Sequence, residues 1–225
     1  MPRGLRREHV VAIRAYTKSS LSYCEFNAAT RQYGANDAIY QEKFHFKSFH
    51  YLLSVALDKF KKKRLTTYRG SQELFIPAKE HYFRFGQFAS SSLQDIEAKE
   101  FMKKFNENTL FKIVTKLGVR ISQFSHLPAE HEVLIPPIEV FKVKHKPDWV
   151  EKHDRKWRKI NLTANGCQGV TVNVQTRNGP ASVTRSVACP SLARPAYLAE
   201  LRARKRRKPG CHPAGAEAEP RMFPD

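Results

Sequence analysis

Two carboxylates stand one residue apart near the middle of the chain, and this spacing suits acid–base or charge-stabilising chemistry. Glu130 and Glu132 precede a short apolar run, VLI, that ends at a Pro-Pro pair. Pro128 before them and the β-branched residues after them favour a strand over a helix. On a strand, residues i and i+2 point to one side, so the carboxylates should project together and His131 should face away. Spacing alone also allows a second interpretation, a solvated strand edge.

The 225-residue chain is strongly basic, with a formal net charge of +19. This balance favours anionic partners, such as nucleic acid, a membrane surface or a phosphate-bearing small molecule. No apolar run approaches membrane-spanning length, and the charged N-terminus lacks the apolar core of a signal peptide. Taken at face value, the chain is therefore expected not to be secreted. The four cysteines form no C-x-x-C pair, so we expect no zinc site.

Hydrophobic periodicity predicts helices first and strands later, which indicates an α+β fold rather than alternating βαβ units. The predicted helices are His9–Thr17, Leu21–Tyr33, Tyr40–Phe60 and Gln94–Phe105, the last with Ile96, Phe101 and Phe105 as its apolar side. The predicted strands are Leu65–Arg69, Tyr82–Phe88, Thr109–Thr115, Val119–Phe124 and Glu132–Lys144. The pattern decays after about residue 146. We therefore predict one folded domain over residues 1–160 and an atypical, basic, largely disordered tail over residues 161–225.

Two more polar pieces lie among the predicted strands. Arg69-Gly70 ends a strand, where a planar guanidinium beside a small residue suits a phosphate or carboxylate ligand. Three serines, from Ser90 to Ser92, follow the next strand and by themselves predict a helix cap. The basic run at 61–64 (KKKR) is interpreted either as a solvated helix end or as a nucleic-acid contact. The basic run at 202–208 (RARKRRK) is interpreted either as a tail without a dedicated role or as a nucleic-acid contact.

Arginine, serine and E-x-E, in this order, resemble the signature of the arginine-specific ADP-ribosyltransferases, in particular the vertebrate mono-ADP-ribosyltransferases. The resemblance spans roughly Val10 to Lys144 and rests on AIRAYT, FNAATR, FHFKSFHYLLSVAL, YRG, RFGQFASSSL, TLFKI and EVLIPPIEVF. It implies an N-terminal helical part packed on two β-sheets, with NAD in the cleft between them. It also implies transfer of ADP-ribose from NAD to arginine side chains of proteins, with release of nicotinamide.

The same resemblance assigns roles to individual residues. Arg69 would bind the NAD phosphates, and the Gly70 backbone would hold the nicotinamide amide. Ser90 would position Glu132, whose carboxylate would stabilise positive charge developing on the ribose. Glu130 would receive the acceptor guanidinium, which a carboxylate matches in charge and in fork geometry. Further candidates for the NAD site are Gln87, Tyr16 and Ser125, and either Phe101 or Phe105 would stack near the nicotinamide.

Several properties stay open or differ from the family pattern. NADP could replace NAD as co-substrate; we expect no metal, no required nucleic acid, no membrane anchor and a monomer acting on proteins with exposed arginines. Family members are usually secreted or lipid-anchored at the cell surface, so the compartment is left unassigned. Lys116 stands where many relatives have a cysteine, which implies loss of that disulfide. The alternative functions are an NAD glycohydrolase using water and a catalytically impaired basic binding protein.

Overall fold

The computed structural model describes residues 2–18, 21–34, 37–75, 82–102, 108–144, 147–152 and 155–167, together with residues 171–172 and 185–186. The helices are α1 (Arg7–Thr17), α2 (Leu21–Tyr33), α3 (Asp37–Lys43), α4 (Lys47–Asp58) and α5 (Asp95–Met102). The strands are β1 (Leu65–Ser71), β2 (Tyr82–Phe83), β3 (Ala89–Ser92), β4 (Asn108–Thr115), β5 (Val119–Arg120), β6 (Glu132–Ile135), β7 (Glu139–Val143), β8 (Asp148–Lys152), β9 (Arg155–Cys167), β10 (Thr171–Val172) and β11 (Arg185–Ser186). The predicted α+β fold is confirmed.

The main sheet divides into two parts that meet at one residue pair. Its strand order is β2-β7-β9-β4-β1-β3-β6-β5, with β8 paired to β9, and β10 pairs with β11 separately. Strands β1 and β4 pair over seven residues, and β3 and β6 pair over four. The register between β1 and β3 contains the single pair Tyr68 and Ser92. The resemblance implied two β-sheets; the structure has one main sheet, whose two halves, β2-β7-β9-β4-β1 and β3-β6-β5, join through this single pair.

The helices α1 to α4 pack against residues of β5 and β6, and a second core is formed by residues of β3, β4, β6, β7 and β9. The first core joins residues of α1 to α4 with residues of β5, β6 and their neighbouring loops: Ile13, Tyr16, Phe26, Tyr40, Phe44, Leu53, Ala56, Leu57, Phe88, Val119, Ile121, Phe124 and Leu134. The second consists of Ala89, Phe111, Ile113, Ile135, Phe141, Val143, Ile160, Leu162 and Ala164. The adjacent residues Leu134 and Ile135 of β6 belong to different cores, so β6 packs against both.

The predicted helix over residues 40–60 is wrong, because two helices, α3 and α4, replace it. Phe44 is fully buried and Phe46 is partly buried, and both contact the Phe26 ring, with centroids 6.3 and 5.8 Å away. On a continuous helix, residues two positions apart point in nearly opposite directions. The break lets both phenylalanines face one core.

The predicted strand over residues 82–88 is also wrong, since β2 ends at Phe83 and β3 begins at Ala89. Gly86 lies between them with φ +68°, a left-handed conformation that interrupts a strand and favours glycine. The serines of the ASSS segment consequently lie on β3 rather than in a cap alone. Ser92 still performs the predicted capping, because its Oγ accepts a hydrogen bond from the Gln94 amide at 3.0 Å.

Strands β8 and β9 lie in the region where the sequence pattern decays. β9 pairs in parallel with β4 and antiparallel with β7, so it is internal to the sheet and continues past residue 160, the proposed domain boundary. Its buried residues alternate at Ile160, Leu162 and Ala164, a strand signal that the preceding charged residues obscure. Apart from β9 and the short β10–β11 pair, the proposed tail lies outside the described residues, so its disorder stays a prediction.

Helix α5 contacts the sheet through a different side from the predicted one. Ala98 and Met102 are buried, whereas Ile96 and Phe101 are 56% and 52% exposed. Phe105, the third residue of the predicted apolar side, lies outside the described residues. Small and flexible side chains at the contact allow α5 to lie directly on β1, and Leu110 of the neighbouring strand β4 completes a third buried cluster.

Two of the four cysteines lie among the described residues. Cys24 and Cys167 are both disulfide-bonded. Lys116, at which the resemblance implied the loss of a disulfide, is exposed, and its backbone amide donates to Glu139 Oε1 at 2.7 Å. Within the described part of the chain, no helix has both the length and the apolar character needed to cross a membrane.

Candidate active site

Strand β1 supplies a cation at the boundary between the sheet halves. Arg69 Nη1 donates a hydrogen bond to the Ser90 backbone oxygen at 2.7 Å, and the guanidinium carbon lies 5.9 Å from the centroid of the Phe85 ring. Burial lowers the pKa of Arg69, while Tyr16, Tyr23 and Glu132 raise it. An arginine remains cationic despite such a shift. The structure thus holds a fixed positive charge beside the carboxylate of Glu132.

Gly70 follows Arg69 where α5 lies on β1. A Cβ atom at this position would lie 2.3 Å from the Ala98 carbonyl oxygen and 2.8 Å from Met102 Cγ. Real Cβ atoms do not approach a backbone oxygen this closely, so a larger residue would push α5 away from the sheet. The close approach predicted for Gly70 therefore exists, and the structure shows it toward a helix; a contact with nicotinamide stays a prediction.

Strand β6 begins at Glu132, which is 6% exposed and pairs in register with Ser92 of β3. Ser125 Oγ donates a hydrogen bond to Glu132 Oε2 at 3.1 Å. Burial raises the pKa of Glu132; hydrogen bonding by the Ser90 and Ser125 hydroxyls and the charge of Arg69 lower it, and the charge of Glu130 raises it. Glu132 is therefore a buried carboxylate held by two hydroxyls and a cation. Ser125, proposed from the resemblance only as lining, contacts this carboxylate directly.

Glu130 lies on a turn rather than on the strand, so the strand argument for the pair is wrong. Pro128–Glu130 form a 3₁₀ turn, and His131 adopts the left-handed conformation with φ 49°. Glu130 is exposed. Its own pKa is raised by partial burial and by the charge of Glu97. The turn therefore places one carboxylate on the rim and the other in the interior, still close enough for their charges to interact.

The helical part contributes a buried polar group next to this cluster. The Tyr16 hydroxyl donates to the Phe88 backbone oxygen at 2.8 Å and accepts from Asn27 Nδ2 at 3.1 Å. Burial raises the pKa of Tyr16 to about 12, so the hydroxyl is protonated at neutral pH. Among the described residues, Asn27 Oδ1 and Gln87 Oε1 are buried and have no hydrogen-bond partner. Buried acceptors without donors suit a ligand that carries hydroxyl or amide donors, as NAD does.

Arg31 of α2 is a second cation that sequence reasoning missed. Its Cγ lies 4.0 Å from where a Cβ of Gly86 would stand. Burial lowers its pKa; the charge of Glu73 raises it, that of Arg69 lowers it, and Tyr16 raises it. Two arginines that sense each other's charge form a favourable place for a pyrophosphate. The FNAATR segment contained both Asn27 and Arg31, but nothing in its spacing distinguished them from surface residues.

The structure brings most of the candidate residues together at the boundary of the sheet halves. Arg69, Ser90, Ser125, Glu132 and Tyr16 form the interior of this cluster, Gln87 is buried beside Phe88, and Glu130 lies on its rim. Phe101 is exposed on α5, and Phe105 lies outside the described residues. Within the described part of the chain, no group of His, Cys, Asp or Glu side chains could hold a metal ion.

The chain is similar to known proteins in sequence and in structure. A sequence model of the family described as NAD:arginine ADP-ribosyltransferase matches residues 1–166. The chain is 42% identical over 146 residues to NAD(P)(+)--arginine ADP-ribosyltransferase 2 of Gallus gallus, covering 63% of this chain and 46% of that protein. It is 42% identical over 149 residues to GPI-linked NAD(P)(+)--arginine ADP-ribosyltransferase 1 of Homo sapiens, covering 63% and 44%. The chain thus spans about half the length of these relatives.

A solved structure is similar as well. It contains a variant of the eukaryotic mono-ADP-ribosyltransferase ART2.2 in complex with NAD, with a TM-score of 0.57 and 34% sequence identity. The match covers 72% of this chain and 67% of that one.

Proposed function

Because the chain belongs to the NAD:arginine ADP-ribosyltransferase family, we propose that it transfers ADP-ribose from NAD to arginine side chains of proteins and releases nicotinamide. The observation that supports this function best is the convergence of Arg69, Ser90 and Glu132 in a buried cluster, with Glu130 on its rim. These are the residues that the family signature requires, in one place and in environments that suit their roles.

The interior residues would bind and polarise the donor. Arg69 and Arg31 would bind the pyrophosphate of NAD, and the unpaired oxygens of Asn27 and Gln87 would accept its hydroxyl or amide donors. NAD supplies an ADP-ribosyl group joined to nicotinamide, a good leaving group. As the ribose carbon–nicotinamide bond breaks, the ionised Glu132 would stabilise the positive charge that develops on the ribose. Ser125 would keep Glu132 oriented and ionised.

The rim residue would bind the acceptor. Glu130 is exposed, so an arginine side chain of another protein can reach it, and a carboxylate matches a guanidinium in charge and geometry. One guanidinium nitrogen then forms the bond to the ribose carbon that nicotinamide leaves, and that nitrogen loses a proton. The exposed position of Glu130 supports proteins with exposed arginines as substrates.

A second candidate function, NAD hydrolysis, uses the same interior residues with water as acceptor. The separation of Glu130 from the interior favours it as a side reaction, because bond cleavage does not need the rim carboxylate. The third candidate is a basic binding protein without activity, and it would require the interior cluster to be inert. The pairing of a buried cation, Arg69, with a buried carboxylate, Glu132, argues against this candidate.

The co-substrate and the compartment are further parts of the proposal. We propose NAD as co-substrate, with NADP to be compared in the same assay. The disulfides at Cys24 and Cys167 favour an oxidising setting such as the secretory route or cell surface. Non-reducing and reducing electrophoresis of protein purified from the secretory pathway and from the cytosol would test this: a shift only in the former is expected.

Transfer from labelled NAD to agmatine, a small guanidinium acceptor, tests the activity. We expect the parent chain to form ADP-ribosylagmatine and Glu132→Gln to lose about 10²- to 10³-fold in rate, because the charge that stabilises the transition state is gone. Circular dichroism should show an unchanged fold in the variant. Full activity of a folded Glu132→Gln protein would contradict the proposal.

A further inference from the structure

His131, the residue between the two carboxylates, has an unusual backbone conformation. Among the described residues it is the non-glycine residue with a positive φ, 49°, and its ψ is 40°. Histidine tolerates this region better than most residues, yet the conformation still costs free energy. The turn needs it, since the chain passes within one residue from the exposed Glu130 to the buried Glu132.

The first turn of α5 and the residues before it hold His131 from both its backbone and its side chain. The Leu93 amide donates to the His131 backbone oxygen at 3.3 Å. On the side chain, Gln94 Nε2 lies 3.5 Å from His131 Nε2, and Glu97 Oε1 lies 4.0 Å from His131 Nδ1. Glu97 is itself held by a hydrogen bond of 3.4 Å from Ser92 Oγ to its Oε2. The histidine is thus docked on a helix that is fixed to β1.

That helix is also attached to the donor side of the site. Ala98 and Met102 of α5 contact Gly70 so closely that no side chain fits there, and Gly70 follows Arg69. Packing contacts therefore connect Gly70, which follows Arg69, through α5 to His131. Because Glu130 directly precedes His131, the direction of its carboxylate depends on the docked turn.

We propose that His131 is a positioning residue, which through its contacts with Gln94 and Glu97 fixes Glu130 for recognition of the acceptor guanidinium. This inference rests on the proposed function. It assigns no chemical step to His131. Docking would limit the conformations of the turn before the acceptor arrives, so that binding loses less conformational freedom. Without these contacts of His131, the Glu130 carboxylate would adopt many orientations.

Three substitutions separate docking from backbone conformation. His131→Gly keeps the positive φ without strain but removes the side-chain contacts. His131→Asn also tolerates this conformation and retains a short polar side chain. Glu97→Gln keeps the shape of the docking partner and removes its charge. His45→Gly, at an exposed histidine between α3 and α4, is the matched control.

The measurement is steady-state transfer from NAD to agmatine, with free ADP-ribose and ADP-ribosylagmatine quantified together. We expect His131→Gly to raise the KM for agmatine roughly three- to tenfold, more than it raises the KM for NAD. The ratio of transfer to hydrolysis should fall by a similar factor. His131→Asn should lie between the parent and His131→Gly, and His45→Gly should match the parent. Adding Glu97→Gln to His131→Gly should change the KM for agmatine no further, because the contact is already lost.

Two outcomes would overturn the inference alone. One is a parent-like KM for agmatine in His131→Gly. The other is an equal rise in both KM values together with a lowered melting temperature, which would indicate a purely structural role. A parent chain that releases nicotinamide yet forms no ADP-ribosylagmatine would overturn the proposed function, and this inference with it.

Discussion

Glu132 and Glu139 are both buried carboxylates, seven residues apart on strands β6 and β7, and burial raises the pKa of each. Their neighbours differ. Glu139 accepts hydrogen bonds from the Thr115 hydroxyl at 2.5 Å and from the backbone amides of Lys116 and Leu117 at 2.7 and 3.1 Å. Glu132 accepts from Ser125 and lies near a second carboxylate and a cation.

The difference separates a structural carboxylate from a chemical one. Glu139 stabilises the turn between β4 and β5, because its hydrogen-bond donors lie at the end of β4 and in that turn. Glu132 instead interacts with groups from four separate strands, loops and turns, including Arg69. Burial by itself therefore does not identify a catalytic group. The kinds of charged neighbour differ: Glu139 lies near one cation, Lys62, whereas Glu132 lies near both a cation, Arg69, and a second carboxylate, Glu130.

The largest effect on stability should come from Glu139→Ala. It would leave the Thr115 hydroxyl and two backbone amides without their acceptor in a buried site. We expect a loss of about 2–4 kcal/mol in the free energy of unfolding. Glu132→Ala is the comparison, and it should cost less because it removes the acceptor of the Ser90 and Ser125 hydroxyls and of no backbone amide. Urea unfolding of both variants measures this; an equal cost would remove the distinction.

A smaller effect is expected for Ser125→Ala. The Ser125 hydroxyl lowers the pKa of Glu132, so removing it raises that pKa and reduces the ionised fraction in mildly acidic solution. The acid limb of nicotinamide release should shift to higher pH, and the rate on that limb should fall by about tenfold or less. Ser122→Ala is the matched control, since Ser122 Oγ contacts the backbone oxygen of Glu132 at 3.4 Å and not its carboxylate. Superimposable pH profiles would contradict the role given to Ser125.

The smallest effect should come from Lys62→Met. Lys62 Nζ donates to the Leu57 carbonyl at 2.7 Å near the end of α4, and its charge lowers the pKa of Glu139. If the hydrogen bonds rather than this cation hold Glu139, we expect a loss of only about 0.5–1 kcal/mol. Thermal unfolding provides the value. A cost comparable to that of Glu139→Ala would mean that Glu139 belongs to an ion pair.

Sequence patterns predicted the α+β order, and the resemblance predicted candidate site residues that the structure brings close together, but neither predicted the geometry at the E-x-E segment. Glu132 begins its strand, as the apolar run after it indicated. Glu130 lies on a turn, because His131 between them adopts a left-handed conformation. No local sequence pattern predicts that conformation. Resemblance to a family carries residue identities across, so Arg69 and Ser90 were identified without knowledge of their contacts.

Other features depend on tertiary contacts that periodicity does not encode. The break between α3 and α4 follows from the need to bury both Phe44 and Phe46 against Phe26. Strand β9 was hidden by its charged first half, although its sheet partners β4 and β7 are both predicted strands. Arg31 stands near Arg69 only because α2 packs over the loop at Gly86.

The central claim is that the interior carboxylate Glu132 supports bond cleavage and the rim carboxylate Glu130 binds the acceptor. The Glu130→Gln variant tests this claim through the ratio of ADP-ribosylagmatine to free ADP-ribose that it forms. The parent and this variant would receive labelled NAD and agmatine, and ADP-ribosylagmatine and free ADP-ribose would be quantified from the same reaction. We predict that transfer falls at least tenfold while nicotinamide release persists, because Glu132, Arg69 and Ser125 are untouched. Equal loss of transfer and hydrolysis would contradict this division and make Glu130 part of the bond-breaking site.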